Sequence, residues 1–306
     1  MILFPIIYLM MKRTVFQIIA PVITFFFITG CNNAGTSPAE IRLAERSADA
    51  ISGSEFIKLI DTLGFEQREE LIANEILSGN IPGMLRKSRT IEYNASDAEG
   101  TRHKVELYIL PDYLAIGSDS DFVRIPMGPL TAQKIADSLY CSMPTALIVD
   151  KIAASSEGAI EPFPFRPLGD RNTWPITFED SNNAINALYK AKGYRPGQLI
   201  SGLKKDVIIT NKIAGDTLRG NHVTIYGWHY PDGSRIQPSN NVHVNYYVDY
   251  SHGIRLIYRT IKIDGVEYDI QQALKDPLLF KLLSDEDTPM SRPTYSGDTL
   301  HPAATL

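Results

Sequence analysis

Cysteine is scarce in this chain, with two in 306 residues, so no framework of disulfides carries the fold. A surplus of positive charge is missing too: 30 Lys and Arg stand against 35 Asp and Glu. Nucleic acid and anionic lipid both need clustered basic side chains, so neither is expected as the partner. There is no internal repeat. The apolar run from Val15 to Ile28 is short for a bilayer span. What is present is ordinary for a globular protein, with 44% hydrophobic and 21% charged residues, which excludes disordered and fibrous classes.

The N-terminus reads as a processing signal over residues 1–30. Lys12 and Arg13 form a basic n-region, the apolar run follows, and Thr29-Gly30 are small residues before a cut. Ile28-Thr29-Gly30-Cys31 resembles the lipobox of bacterial lipoproteins, which implies acylation of Cys31. Removal of residues 1–30 leaves 28 basic against 35 acidic residues, so attachment to the bacterial membrane would come from lipid and not from a basic surface. Residues 31–46 are then a lipidated tether. An exported, membrane-anchored protein follows. The absence of an acidic run after Cys31 favours the periplasmic face over the cell surface.

The expected fold class is α+β. Residues 47–128 hold two helical patterns, with Ser54 a candidate N-cap, followed by strands at Thr90–Tyr93 and Val105–Ile109 around a polar turn. This unit, a helical hairpin and small antiparallel sheet, is expected to pack on a catalytic α+β domain at 129–284. Helices are expected over Thr131–Leu139 and Pro144–Ala154, with Cys141 in the break between them. Residues 155–200 carry five prolines between Pro162 and Pro196 and read as a wall or lid, with one helix over Asn182–Lys190. Strands are expected from Lys205 onward, including Val244–Asp249, with Asp232-Gly233 a hairpin turn. The tail, 285–306, is expected to be disordered.

The stretch from His222 to Tyr258 concentrates the chemistry. It holds four of the six histidines (His222, His229, His243, His252), Trp228, and six of the fifteen tyrosines. Cys141 is the lone thiol of the mature body, either buried and inert or kept for reactivity. Tyr140-Cys141-Ser142, Lys205-Asp206-Val207-Ile208-Ile209, His222-Val223-Thr224-Ile225-Tyr226-Gly227 and Gly233-Ser234-Arg235-Ile236-Gln237 are, in that order, similar to the NlpC/P60 group of papain-like hydrolases. The resemblance implies a papain-like helix-plus-sheet core with Cys141 as nucleophile, His222 as its base and Gln237 orienting the imidazole. It also implies cleavage of amide bonds in cell-wall peptides, without a cofactor.

Tyr226–His229, Asp232–Pro238 and Asp249–Gly253 also resemble the YGWH, DGxxIQP and DYSHG motifs of a set of uncharacterised bacterial secreted proteins. That likeness implies that His229 and His252 belong to a site. Tyr226, Trp228, His229, Asp249, Ser251 and His252 are therefore expected to bind the substrate. Gly253 permits a bulge or tight bend there. Two alternatives stand beside the cysteine hydrolase. One is a metal-dependent hydrolase using the histidine cluster, although strand parity puts His222 and His229 on opposite faces and no metal is assigned. The other is a non-catalytic lipoprotein that holds a glycan or muropeptide on its aromatic surface.

Overall fold

A computed structural model describes residues 41–166, 169–215 and 221–297; the signal segment and Cys31 lie outside the described residues. The chain is a mixed α+β fold with mainly antiparallel sheets. Its helices are α1 (Gly53–Ile60), α2 (Phe65–Leu77), α3 (Pro129–Ser138), α4 (Ala146–Ala154), α5 (Pro175–Lys192), the single turn α6 (Lys212–Gly215) and α7 (Ile270–Lys275). None is long and apolar enough to cross a membrane.

The larger sheet begins with β1 (Arg89–Ser96) and β2 (Arg102–Ile109), an antiparallel hairpin with Ile91 opposite Leu107. Two short strands follow as a separate pair, β3 (Ala115–Gly117) and β4 (Phe122–Arg124). Then come β5 (Cys141–Ser142) and β6 (Gly158–Ala159), with β7 (Ile200–Ser201) pairing β6 in parallel. The second large sheet is built from β8 (Lys205–Val207), β9 (Ile225–His229), β10 (Arg235–Asn240) and β11 (His252–Gly253), in the order β10-β9-β8-β11. Finally β12 (Ile257–Tyr258), β13 (Thr260–Ile263) and β14 (Val266–Asp269) return to the first sheet, whose order is β14-β13-β2-β12-β5 with β1 also on β2.

This pairing corrects the expected division at residue 128. β2 hydrogen-bonds with β12 and β13, so the N-terminal hairpin and the C-terminal strands share one sheet. Residues 41–297 accordingly fall within one compact unit. Both ends are also more ordered than their polarity suggested. Ile41 is buried and its N–H donates to Arg86 O at 3.1 Å. At the other end Met290 and Tyr295 are buried, and Tyr295 Oη donates to Ile208 O at 2.7 Å. Residues 285–297 are thus a packed strap, held by a few large side chains that a low average hydropathy conceals.

Local signals explain the helices. Ser52, not Ser54, caps α1, in a capping box with Glu55 that satisfies two N–H groups reciprocally. The Pro-rich segment holds an 18-residue helix, α5, which starts at Pro175 and stops at left-handed Gly193. A proline in the first turn replaces an N–H that has no helical partner anyway, so Pro175 opens a helix that begins seven residues before the expected start at Asn182. The expected strand at Val244–Asp249 is mostly turns, with Val244 making one bridge to His222.

Buried charge ties the layers together. Arg124, 1% exposed, donates from Nε and Nη2 to Asp112 and from Nη1 to Asn182 and Asn186 on α5. Removing one partner of such a pair strands a charge in a medium that cannot solvate it. Asp112→Ala is expected to lower the unfolding free energy by about 3–5 kcal/mol, read from urea titration; a loss within the range of a surface substitution would contradict this account.

A second electrostatic clasp closes two turns. His103 Nδ1 faces Asp264 Oδ2 at 2.7 Å and its Nε2 faces Asp97 Oδ2 at 3.2 Å. The hydrogen bond to Asp264, then that to Asp97, raises the imidazole pKa. A raised folded-state pKa stabilises fully below the unfolded value of about 6.5. That contribution fades as pH climbs through the folded-state midpoint. The stability difference between the parent and His103→Gln should therefore shrink as pH rises above about 6.5, as measured by denaturant midpoints at each pH.

Candidate functional site

The four clustered histidines separate in space. His222 bridges Val244 just ahead of β9, His243 stacks on Tyr247 with ring centroids 4.3 Å apart, and His252 lies on β11 beside Asp249. His229 ends β9. Among the described residues no three His, Cys, Asp or Glu side chains converge as ligands for a metal ion.

Cys141 is not where a nucleophile has to be. It lies in β5, opposite Tyr258, and α4 begins only at Ala146, capped by Thr145. The side chain is 0% exposed within the main core, and its Sγ–H donates to Leu139 O at 3.5 Å. Burial pushes the thiol pKa up to about 12, so the thiolate that nucleophilic attack requires is suppressed. His222, the expected base, adjoins the other sheet. Gln237, the expected orienting residue, pairs across from Gly227 and donates to Pro238 O at 2.9 Å. The thiol triad therefore does not form. Pro144 precedes the helix cap, so the helix N-terminus serves Thr145 and not the sulfur.

A different pair occupies the surface cleft. Asp150, on α4, accepts hydrogen bonds from His229 Nε2 at 2.7 Å and from Tyr226 Oη at 2.9 Å to each oxygen. Arg235 Nη1 stands 3.8 Å from Asp150 Oδ2, with its guanidinium 5.0 Å over the Tyr226 ring. Burial works against the Asp150 charge, but the His229 and Tyr226 hydrogen bonds and Arg235 outweigh it and hold the carboxyl below its usual range. An ionised carboxylate only accepts, so Nε2 carries the proton and Nδ1 of the neutral ring keeps a lone pair. The cleft beside this pair measures about 680 Å³, between the end of α4 and the β9–β10 turn.

The backbone is bent to make this contact. Tyr226 and His229 are three apart, and on a regular strand they would face opposite sides. Gly227 at φ 92° and Trp228 at φ 58° are both left-handed, which rotates His229 to the side of Tyr226. A bulky residue at positive φ is a genuine outlier, and such strain collects at functional sites. Trp228 is anchored by Nε1 donating to Gly202 O at 2.9 Å. A Cβ on Gly227 would come within 3.1 Å of Val149 Cγ1 and 3.4 Å of His229 Nδ1, so glycine both permits the bend and lets the imidazole, 5% exposed, lie against its own strand.

Neither the families nor the known structures help. No family model matches the chain, and no curated protein or solved structure matches it either.

The second expected group, around Asp249–Gly253, is built differently. Ser251 N–H and Oγ–H both donate to Asp249 Oδ1, a turn of the Asx type. Asp249 Oδ2 is 3.8 Å from His252 Nε2, too far for a hydrogen bond, so Asp249 does not fix that tautomer. His252 is 1% exposed, and burial lowers its pKa. Gly253 is not at a bulge. A Cβ there would stand 2.4 Å from Tyr113 Cδ1, so this glycine admits the Tyr113 ring.

The expected residues Tyr226 and His229 thus meet on the Asp150 carboxylate; His229 lines the cleft, and Tyr226 lines a neighbouring pocket of about 250 Å³. Trp228 is a buried brace behind it, and Asp249, Ser251 and His252 sit in a separate buried cluster. Sequence reasoning missed Asp150 and Arg235. Asp150 had a signal: Ala146, Val149, Asp150 and Ala153 share one helical side at i, i+3, i+4 and i+7 spacing, a small-residue face with one carboxylate. In the folded protein Cys141 should resist iodoacetamide and become fully labelled on denaturation, by mass mapping of that position; ready labelling of the native state would put the sulfur outside the core. Gly227→Ala should lower stability by about 1–3 kcal/mol and displace the His229 ring resonances.

Proposed function

We propose that this protein is a hydrolase of cell-envelope peptides in which His229, held by Asp150, activates water for attack on an amide carbonyl. The observation that carries the reading is the His229–Asp150–Tyr226 constellation at an open cleft. Nδ1 takes a proton from water as the hydroxide adds to the carbonyl carbon. Asp150 stabilises the imidazolium that forms, and the same Nδ1–H then protonates the departing amine, giving a carboxylic acid and an amine. Arg235 supplies a positive charge at the cleft for the developing oxyanion. No step uses Cys141. The papain-like part of the resemblance is supported by α4 packed on β9, with Val149 against Gly227. Export and anchoring through a lipid on Cys31, on the periplasmic side, belong to the same proposal and suit an envelope substrate.

A non-catalytic role, holding a glycan or muropeptide, is favoured by one feature. His229 hydrogen-bonds to Asp150, and among the described residues no side-chain hydroxyl or thiol is bonded to the ring. Trp174, 42% exposed beside Phe165 and Arg171 in a groove of about 410 Å³, also offers a stacking face for a sugar.

Digestion of purified peptidoglycan separates the readings. The parent and Cys141→Ala should release new amino termini at equal rates. His229→Gln and Asp150→Asn should each lose about 10²–10⁴-fold. A parent that binds peptidoglycan and releases nothing leaves the holding role.

A further inference from the structure

Behind His229 lies a second, much smaller cavity of about 10 Å³, and the imidazole lines both it and the outer cleft. Asp206, 4% exposed, lines this cavity together with His229. The β8–β9 register sets Asp206 directly opposite Tyr226, and residues opposed across two antiparallel strands project to the same face. That face is the one α4 covers, with Val149, Ile152 and Ala153 also at the cavity. One carboxylate oxygen is occupied: Tyr113 Oη donates to Asp206 Oδ2 at 2.9 Å. The other, Oδ1, is buried and has no hydrogen-bond partner.

A buried carboxylate oxygen without a donor is unfavourable, and here it is maintained by several elements at once. The Tyr113 ring fits only because residue 253 lacks a Cβ. Arg255 lies over that ring, 4.4 Å from its centroid, and donates to Leu110 O and Pro111 O. Its charge favours ionised Asp206, as does that of His229, against the burial that pushes the carboxyl up to about 6. The cavity has room for about one water, which could donate to Oδ1.

We propose that Asp206 is a positioning residue of the His229 site, a second carboxylate facing the imidazole from behind, which stabilises the ring's protonated form. Asp150 holds Nε2 from the cleft side, and Asp206 supplies negative charge from the interior. This rests on His229 being the base, but its test does not need turnover. The other charges around the ring are Asp150 on α4, Arg235 on β10, and Lys204 and Arg255 beside the inner cavity; Tyr113 and Tyr226 contribute phenols. Lys204 needs a control, because burial brings its ammonium down to about 7.

The experiment is an NMR titration of the full chain, following the His229 ring nitrogens and the Asp206 carboxyl carbon from about pH 4 to about pH 9. In the parent, the Asp206 signal should show an inflection at the His229 midpoint. That inflection should vanish in His229→Gln. In Asp206→Asn, the His229 midpoint should fall by about one unit. An Asp206 signal blind to His229, or an inflection that persists in His229→Gln and so belongs to Lys204, overturns the proposal even if Asp206→Asn fails to fold. Peptidoglycan left intact by the parent removes the hydrolase reading and leaves the measured coupling as it stands.

Discussion

Four consecutive residues, Leu110 to Tyr113, meet Arg124, Arg255 and Asp206, three charged side chains buried in this fold. Leu110 and Pro111 give their carbonyls to Arg255, Asp112 takes the Arg124 guanidinium, and Tyr113 donates to Asp206. Each partner comes from a different part of the chain. A charge moved out of water loses far more than a surface ion pair returns, and its burial is offset by opposite charge and by hydrogen bonds inside the protein. These contacts are therefore mutually dependent, and they hold the first sheet, α5 and the second sheet in one arrangement. Arg124 and Arg255 illustrate the balance: burial lowers each guanidinium pKa, and Asp112 and Tyr113 respectively head the interactions that more than restore it.

That hub reaches the cleft by a short path. Gly253 makes room for Tyr113, Tyr113 holds Asp206, and Asp206 shares a cavity with His229. From the other side α4 brings Asp150 to the same ring. The left-handed backbone at Gly227 and Trp228 is the local concession that lets both contacts exist. Strain there is maintained because Trp228 is anchored through its indole and covered by the chain around it.

Local features were readable because their causes are local. The β1–β2 hairpin follows from apolar alternation, the Asp232-Gly233 turn from tolerance of positive φ, and α3 and α4 from their apolar spacing. The site was only half readable. Tyr226 and His229 were visible as a dense polar-aromatic strand, but Asp150 is 79 residues away from His229, and no spacing rule links a helix to a strand over that distance. The strap at 285–297 failed for a related reason: Tyr295 is buried by what it meets near Ile208 and Thr224, not by its neighbours in sequence. Strand parity, sound for an extended chain, does not hold between Tyr226 and His229 because two left-handed residues intervene.

Cys141 shows how a residue's chemistry depends on where its strand ends. Had α4 started at Cys141, the helix N-terminus would have faced the sulfur and favoured a thiolate. Instead Cys141 and Ser142 pair with β12, and Pro144 and Thr145 separate them from the helix. The same sequence order that resembles a cysteine hydrolase thus delivers its thiol to the first sheet and its helix to the second. What the helix carries to the cleft is Asp150, about one turn in. Any base chemistry at this surface consequently depends on the carboxylate–imidazole pair between α4 and β9, and the thiol contributes only to packing.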